Sequence, residues 1–263
     1  MILQHVEKIG NNAIYYMQDL GRMGGFLFFS LVGVFKRPFR FFETVRQVRI
    51  IGANSFLVIF FTAAFTGMVL GLQGYYTLRK FGSEGALGSA VALSLIRELG
   101  PVLTALMVTG RAGSAMCAEL GIMRISEQLD ALECLAIDPF RYLITPKFLA
   151  TRISVPILTL MFIVVGIFGG YVAGVELLNV NPGAYFSGME QSVIDKDIHL
   201  GIIKSFVFSL IIAWVCTGRG YFVHMIRNAG FGAESVSRVT TQAVVLSSIS
   251  ILIWDYLLTA ILL

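Results

Sequence analysis

Two adjacent charged residues, Arg97 and Glu98, lie inside a run of apolar residues, 86–110, that carries no other charge. If this run crosses a membrane, each unpaired charge raises the free energy of insertion by at least about 2.5–3.5 kcal/mol. The pair is therefore expected to have a functional or a structural role. One use is to line a cavity that receives a charged or zwitterionic substrate. The other is a structural ion pair, within the pair or with Lys204 or Asp255 of two later apolar runs.

Pro101 follows the charged pair. A proline inside a helix clashes with the carbonyl four residues earlier, which here is the carbonyl of Arg97. A kink or a local opening of the helix is therefore predicted at the pair. Since neighbouring helical residues point about 100° apart, Arg97 and Glu98 need not be each other's partners.

No other set of residues predicts catalysis. The sequence has no HExxH, GxSxG or CxxC motif and no GxxxxGK[ST] phosphate loop, and its three histidines are far apart. We therefore expect no catalytic residue, metal site or cofactor, and no enzyme. The basic stretch at 36–49, with phenylalanines between its arginines, fits anionic lipid headgroups better than nucleic acid.

The composition is that of an integral membrane protein. Of the 263 residues only 14 % are charged and 56 % are hydrophobic, against about 25 % charged in soluble domains. The mean hydropathy is +0.79. A soluble fold of this length could not bury so much apolar surface, and a disordered chain would not contain it.

The apolar runs predict an all-α protein with five transmembrane helices, because a span needs about 20 mostly apolar residues. The predicted spans are 51–78, 86–110, 153–175, 198–218 and 239–263.

The N-terminal segment, 1–50, is predicted to lie outside this five-helix domain, 51–263. Its apolar run Met23–Phe35 has only 13 uncharged residues and is flanked by Arg22, Lys36 and Arg37. An interfacial or re-entrant helix fits this pattern, and a short sixth span is the alternative.

Basic residues alternate between the two sides of the membrane. Residues 1–50, 111–152 and 219–238 hold seven, five and three Lys or Arg, whereas 79–85 and 176–199 hold two and one. The positive-inside rule then places the N-terminal segment on the cytoplasmic side and the C-terminus on the outer side.

The loop 111–152 contains an apolar stripe at helical spacing, which predicts an amphipathic helix over about 120–137 on the cytoplasmic side. The stripe consists of Ile125, Leu129, Leu132 and Ala136. Glu127, Asp130 and Glu133 lie largely on the other side of the helix, and Pro139 ends the pattern. This acidic face is either solvated or a contact for a cytosolic partner.

Glycines recur four residues apart in the first and third spans, as Gly67 with Gly71 and Gly166 with Gly170. Such pairs let helix backbones approach closely, so we interpret them as packing sites.

The segment GMVLGLQGY at 67–75 and the series RELGP, GRAGSA, AELG and EQLDAL within 92–150 closely resemble the MlaE (YrbE) permease family. The similarity continues through 166–175 and 203–214 and covers most of the chain. Members of that family are the membrane subunits of ABC systems that work with MCE (mammalian cell entry) proteins.

The resemblance implies a homodimer in the bacterial inner membrane that encloses a phospholipid-binding cavity. It also implies a cytosolic ABC ATPase pair, a periplasmic MCE-domain hexamer and, in many systems, a STAS-domain protein. By position, the helix at 120–137 would couple to the ATPase through Glu119, Glu127, Asp130 and Glu133. The lipid cavity would include Leu70 and Leu78, with Arg97, Glu98 and Lys204 forming its polar part.

The hypothesis is thus a permease that moves phospholipid between inner and outer membranes and maintains lipid asymmetry. The alternatives are an ion-coupled secondary transporter and a membrane scaffold without transport. The first alternative lacks the internal repeat that secondary transporters usually show.

Overall fold

A computed structural model of the chain describes residues 2–35, 40–226 and 232–262. Within these ranges the backbone forms helices and no β-strand. The helices of seven or more residues are α1 (Ile2–Phe35), α2 (Phe41–Arg79), α3 (Glu84–Ile125), α4 (Gln128–Cys134), α5 (Phe140–Leu177), α6 (Pro182–Ser192), α7 (Asp195–Tyr221) and α8 (Ala233–Leu262). Lys36, Arg37, Phe39 and Leu263, which belong to segments discussed above, lie outside the described residues.

The predicted all-α membrane architecture is confirmed. In the described part of the chain, five helices are long and apolar enough to cross a membrane, namely α2, α3, α5, α7 and α8. The N-terminal helix α1 is not among them. The short run Met23–Phe35 is the second half of this 34-residue helix rather than a separate element.

The helices extend beyond the predicted spans. The second span, expected over 86–110, belongs to a helix that continues to Ile125, and the third begins at Phe140 instead of 153. A span that is predicted from hydropathy ends before the next charged residue, which here is Arg111. In the structure the Arg111 guanidinium has a partner within the protein: its Nη1 donates to the carbonyl oxygen of Ile50 at 2.5 Å. The helix therefore continues past the charge.

The opening predicted at Pro101 is present. Residues Leu95–Leu99 form a π-helical turn that ends two positions before Pro101. The carbonyl of Arg97, which the proline cannot bond, accepts a hydrogen bond from Lys204 Nζ of α7 at 3.0 Å. Single π turns of this kind are often found at functional sites.

The expected amphipathic helix over 120–137 is two helices. Helix α3 runs to Ile125, Glu127 has a left-handed backbone with φ of 57°, and α4 begins at Gln128. Of the predicted apolar stripe, Leu129 is buried and Leu132 is half-buried, while Ala136 lies beyond the end of α4. Asp130 and Glu133 thus lie on a short separate helix, and Glu127 directly precedes it.

Helices α2 and α5 pack at glycine contacts, as the spacing predicted. A Cβ on Gly67 would lie 1.9 Å from the carbonyl oxygen of Gly166, and one on Gly71 would lie 2.9 Å from that of Gly170. These distances leave no room for a side chain. The contact therefore sets the distance between the first and third spans.

Helix α6 covers the end of the bundle opposite the basic loops. Tyr185 of α6 is buried, and its hydroxyl donates to the carbonyl oxygen of Ile167 at 3.0 Å. Burial raises the pKa of the Tyr185 hydroxyl from about 10 to about 12. We call this end the acidic side, and the end that carries α4 the basic side.

The glycine contact is testable by substitution. Gly67→Ala should lower the free energy of unfolding by about 1–3 kcal/mol, because the added methyl group must push α2 away from α5. Gly24→Ala is the matched control, since a Cβ there has no neighbour within 4 Å. Thermal unfolding of both variants in mild detergent measures the difference, and equal stabilities would contradict the predicted close contact.

Candidate functional site

A network of charged side chains joins α3, α7 and α8 within their membrane-spanning parts. At its centre is Lys204 of α7, whose side chain is 0 % exposed. Its Nζ lies 2.6 Å from Glu98 Oε2, 2.7 Å from Asp255 Oδ1 and 2.7 Å from Thr259 Oγ1. The Asp255 contact is an ion pair without hydrogen-bond alignment.

Thr259 bridges Lys204 and Glu98. Its hydroxyl accepts from Lys204 Nζ and lies 3.0 Å from Glu98 Oε1, to which it can donate. One turn of α8 brings Thr259 and Asp255 to the same side of the helix, and both face α7. The Lys204 ammonium is thereby surrounded by oxygen atoms, as a buried charge requires.

Arg97 has a different partner. Its Nε donates to Asp197 Oδ1 at 2.8 Å, and the Asp197 side chain is only 3 % exposed. Asp197 Oδ2 also accepts from the backbone N–H of Ile194 at the start of α7. The two adjacent residues of α3 therefore contact the same helix through two separate ion pairs.

Sequence reasoning missed Asp197, because it was assigned to an external loop. A signal was available. Asp197 precedes Lys204 by seven residues, which is almost two full helical turns, so both must lie on one face of a helix that includes them. The same face then meets both members of the Arg97–Glu98 pair.

The network is open on one side. The side chain of Glu98 is 39 % exposed and that of Arg97 is 31 % exposed, although both lie near the middle of an apolar helix. The network contains two cations and three carboxylates. Its open edge consists of the Arg97 guanidinium and the Glu98 carboxylate, which together can bind a polar or zwitterionic group. Neither of these two groups is an activated nucleophile.

An apolar cavity of about 170 Å³ lies beside the π turn of α3. It is bounded by Ile96, by Pro156 and Ile163 of α5, and by Ile202 of α7. Arg97 and Glu98 follow Ile96 in the chain but are not among the residues that line this cavity.

The structure does not bring Leu70 and Leu78 into this network. Both are partly buried on α2, where they pack against the main apolar core. They share a helix face, since eight residues are close to two turns. Their expected place in a cavity wall remains a prediction.

On the basic side, Glu119 has an internal partner. Its Oε2 lies 2.6 Å from Nζ of Lys147, a residue of α5 that is 1 % exposed. Gln47 of α2 lies 3.5 Å from the same nitrogen. Glu119 thus helps to join three spans, a contact that its place in the sequence did not reveal.

Helix α4 is held by Arg124 at the end of α3. Arg124 Nη1 lies 2.7 Å from Asp130 Oδ1, and its Nε donates to His224 Nδ1 at 3.1 Å. Burial, and then the charge of Arg124, lower the pKa of His224. Glu127 and Glu133 are exposed. Of the predicted coupling residues, these two are the most available to a partner.

Removing the central cation should destabilise the protein strongly. Lys204→Met leaves Glu98 and Asp255 without their shared counter-ion, and we expect a loss of about 3–5 kcal/mol of unfolding free energy. Adding Glu98→Gln and Asp255→Asn should restore much of it, because no unpaired charge remains. Lys80→Met, at an exposed turn, is the control and should change stability by less than about 0.5 kcal/mol.

Thermal unfolding in detergent distinguishes these variants. A Lys204→Met protein as stable as the control would show that the network is not needed for folding.

Comparison with known proteins identifies the family of the chain. The Permease MlaE family profile matches residues 44–261. The intermembrane phospholipid transport system permease protein MlaE of Haemophilus influenzae is 42 % identical over 262 residues, which are 99 % of this chain and 98 % of that protein. A probable ABC transporter permease protein of Rickettsia prowazekii is 39 % identical over 98 % of both chains.

A more distant relative is TRIGALACTOSYLDIACYLGLYCEROL 1, a chloroplast protein of Arabidopsis thaliana. It is 35 % identical over 218 residues, which are 83 % of this chain and 61 % of that protein. The family profile and the full-length similarity lead to one conclusion: the chain is a membrane permease subunit that belongs to the MlaE permease family.

Proposed function

We propose that this chain is the membrane-spanning permease of an ABC system that moves phospholipid between the inner and outer membranes of a bacterium. The half-exposed edge of Arg97 and Glu98 within the spans carries the proposal. The names of two relatives, an intermembrane phospholipid transport system permease protein and a probable ABC transporter permease protein, support it.

The open edge needs a polar environment. A carboxylate that is 39 % exposed cannot face lipid tails, because an ionised group in hydrocarbon costs several kcal/mol. A cavity shared by two copies of the chain supplies that environment. Only 11 % of the residues in the apolar part of α8 are buried within one chain, which leaves this helix available to a second copy.

In this homodimer the phospholipid headgroup would lie at the polar edge. Phosphate would meet Arg97, and an ammonium group would meet Glu98. The acyl chains would lie on apolar walls that include Leu70 and Leu78. Lys204 would hold Glu98 in place from behind, as a positioning residue that the lipid does not touch.

Helix α4 would transmit movement from a cytosolic ATPase. It lies on the basic side, which the positive-inside rule places in the cytoplasm. Glu127 and Glu133 would contact the ATPase, while Asp130 is partly neutralised by Arg124. A periplasmic MCE-domain hexamer and a STAS-domain protein would complete the system, with the C-terminus on the periplasmic side.

The transport role of Glu98 is testable in proteoliposomes that contain the assembled complex. Glu98→Gln should slow ATP-driven transfer of a fluorescent phospholipid about tenfold, the scale of one lost charge-assisted contact. Assembly with the ATPase should be unchanged, since α4 is distant in the chain. Glu84→Gln, at the exposed start of the same helix, is the control. Normal transfer by Glu98→Gln would refute this role.

The coupling role of α4 predicts a separate defect. Glu133→Lys should weaken capture of the ATPase about tenfold, because an attractive charge becomes repulsive. The same reversal at Glu190, exposed on the acidic side, should have no effect. Co-purification of the ATPase at increasing salt measures both, and unchanged capture by Glu133→Lys would exclude this contact.

A further inference from the structure

A strip of partly exposed residues runs along α3 from the middle of the span to its basic side. Every fourth residue from Leu99 to Glu119 belongs to it, and residues four apart lie on one face of a helix. Glu98 is next to the first member, so the strip begins at the open edge described above. We call it the α3 strip, and its residues are Leu99, Leu103, Met107, Arg111, Ala115 and Glu119.

The strip is apolar between two charged levels. Leu99, Leu103 and Met107 separate Glu98 from Arg111. Between these two charges the helix rises about 20 Å, whereas half of a bilayer core is about 15 Å thick. Since Glu98 lies near the middle of the span, Arg111 lies where the hydrocarbon ends on the basic side.

Two other spans have an arginine at the same level. Arg49 of α2, Arg111 of α3 and Arg152 of α5 each lie within two residues of the end of the apolar run of their span. All three ends are on the basic side. This is the level of the lipid phosphates, which attract arginine side chains at the membrane surface.

The Arg111 guanidinium carries a charge that the described residues do not compensate. Its Nη1 donates to the carbonyl oxygen of Ile50 at 2.5 Å and lies 3.3 Å from Ser55 Oγ, and both acceptors are neutral. Its Nε and Nη2 have no acceptor in the described ranges, and the side chain is only half-buried. A Cβ on the adjacent Gly110 would have no neighbour within 4 Å, so the space at this level is open.

Other cations of the basic side differ from Arg111 in this respect. Four of them have a carboxylate at 2.6–2.9 Å, namely Arg124, Lys147, Arg219 and Arg238. Arg49, which precedes Ile50 in the chain, is exposed and has no such carboxylate among the described residues. Arg49 and Arg111 thus bring two uncompensated cations to Ile50. Guanidinium groups bind phosphate oxygens through paired N–H donors, so a phosphate fits this pair.

We propose that Arg111, together with Arg49, binds the phosphate of a glycerophospholipid from the leaflet on the basic side. One acyl chain lies along Met107 and Leu103 of the α3 strip. The binding requires neither ATP nor a partner chain. Its place on a lipid path rests on the proposed function, in which the strip connects this phosphate site to the open edge at Glu98.

Fluorescence quenching at Ala115, one turn from Arg111, tests the site. Ala115→Cys is labelled with bimane in a Cys134→Ser background, where the remaining cysteines are buried. The full chain in detergent is titrated with phosphatidylcholine that carries a nitroxide on its headgroup, and we expect saturable quenching. Arg49→Gln and Arg111→Gln should each raise the lipid concentration for half-quenching about tenfold.

Arg152→Gln is the matched control. Arg152 is exposed at the same level, but its guanidinium lies over the ring of Phe206 on α7, 5.4 Å from the centroid. Its loss should leave quenching at position 115 unchanged. Arg111→Lys keeps the charge and should bind more tightly than Arg111→Gln. Equal quenching curves for Arg49→Gln, Arg111→Gln and Arg152→Gln would refute the phosphate contact.

Three further outcomes would overturn the proposal. If a cholestane spin label, which has no phosphate, quenches as well, the strip is only an apolar surface. If equimolar inorganic phosphate displaces the lipid, the site binds free anions. If Arg111→Gln dissociates an oligomer in light scattering, a carboxylate of a second copy occupies the site.

The transfer assay separates this inference from the proposed function. Glu98→Gln should slow phospholipid transfer by the assembled complex and leave quenching at position 115 unchanged. Normal transfer by Glu98→Gln, with quenching that depends on Arg111, would refute the proposed role of Glu98 and support the phosphate site. Slow transfer without such quenching would do the reverse.

Discussion

The ammonium group of Lys204 sets the main physical constraint on this structure. It is completely buried among apolar helices, where an uncompensated charge would prevent folding. Glu98, Asp255 and Thr259 supply the oxygen atoms that make its burial possible. Because these partners come from α3 and α8, one cation fixes the relative positions of three spans. The same arrangement holds the carboxylate of Glu98 at the open edge of the site.

The backbone follows the same rule. A carbonyl that loses its helical partner inside a membrane must find another donor within the protein. The carbonyl of Arg97 finds Lys204, and that of Ile50, within a second π turn, finds Arg111. In both places a cation of a neighbouring helix donates to a backbone carbonyl in a π turn, and at Arg97 it replaces the N–H that Pro101 lacks. The irregular turns are thus sites at which helices are joined by polar contacts, in a bundle that otherwise packs through glycines and apolar side chains.

One helix contact therefore has two distinct ends. Toward the acidic side, α7 and α8 enclose the Lys204 cation, and Glu98 of α3 pairs with it while remaining half-exposed. Toward the basic side, the same helices leave a groove with a guanidinium at the level of the membrane surface. The first arrangement leaves the Arg97 guanidinium and the Glu98 carboxylate partly exposed within the spans.

Much of this fold was predictable from local chemistry. Charge content and apolar run lengths determined the membrane class and the five spans, glycine spacing determined the α2–α5 contact, and Pro101 determined the opening at Arg97. These predictions succeed because each depends on residues close together in the chain. Only the tertiary structure decided that Arg97 pairs with Asp197 and that Arg111 does not end its helix. It also decided that Glu119 binds Lys147 and that α4 is a separate helix. Those outcomes depend on which distant oxygen atoms lie within about 3 Å of a charge, and no pattern within a single segment contains that information.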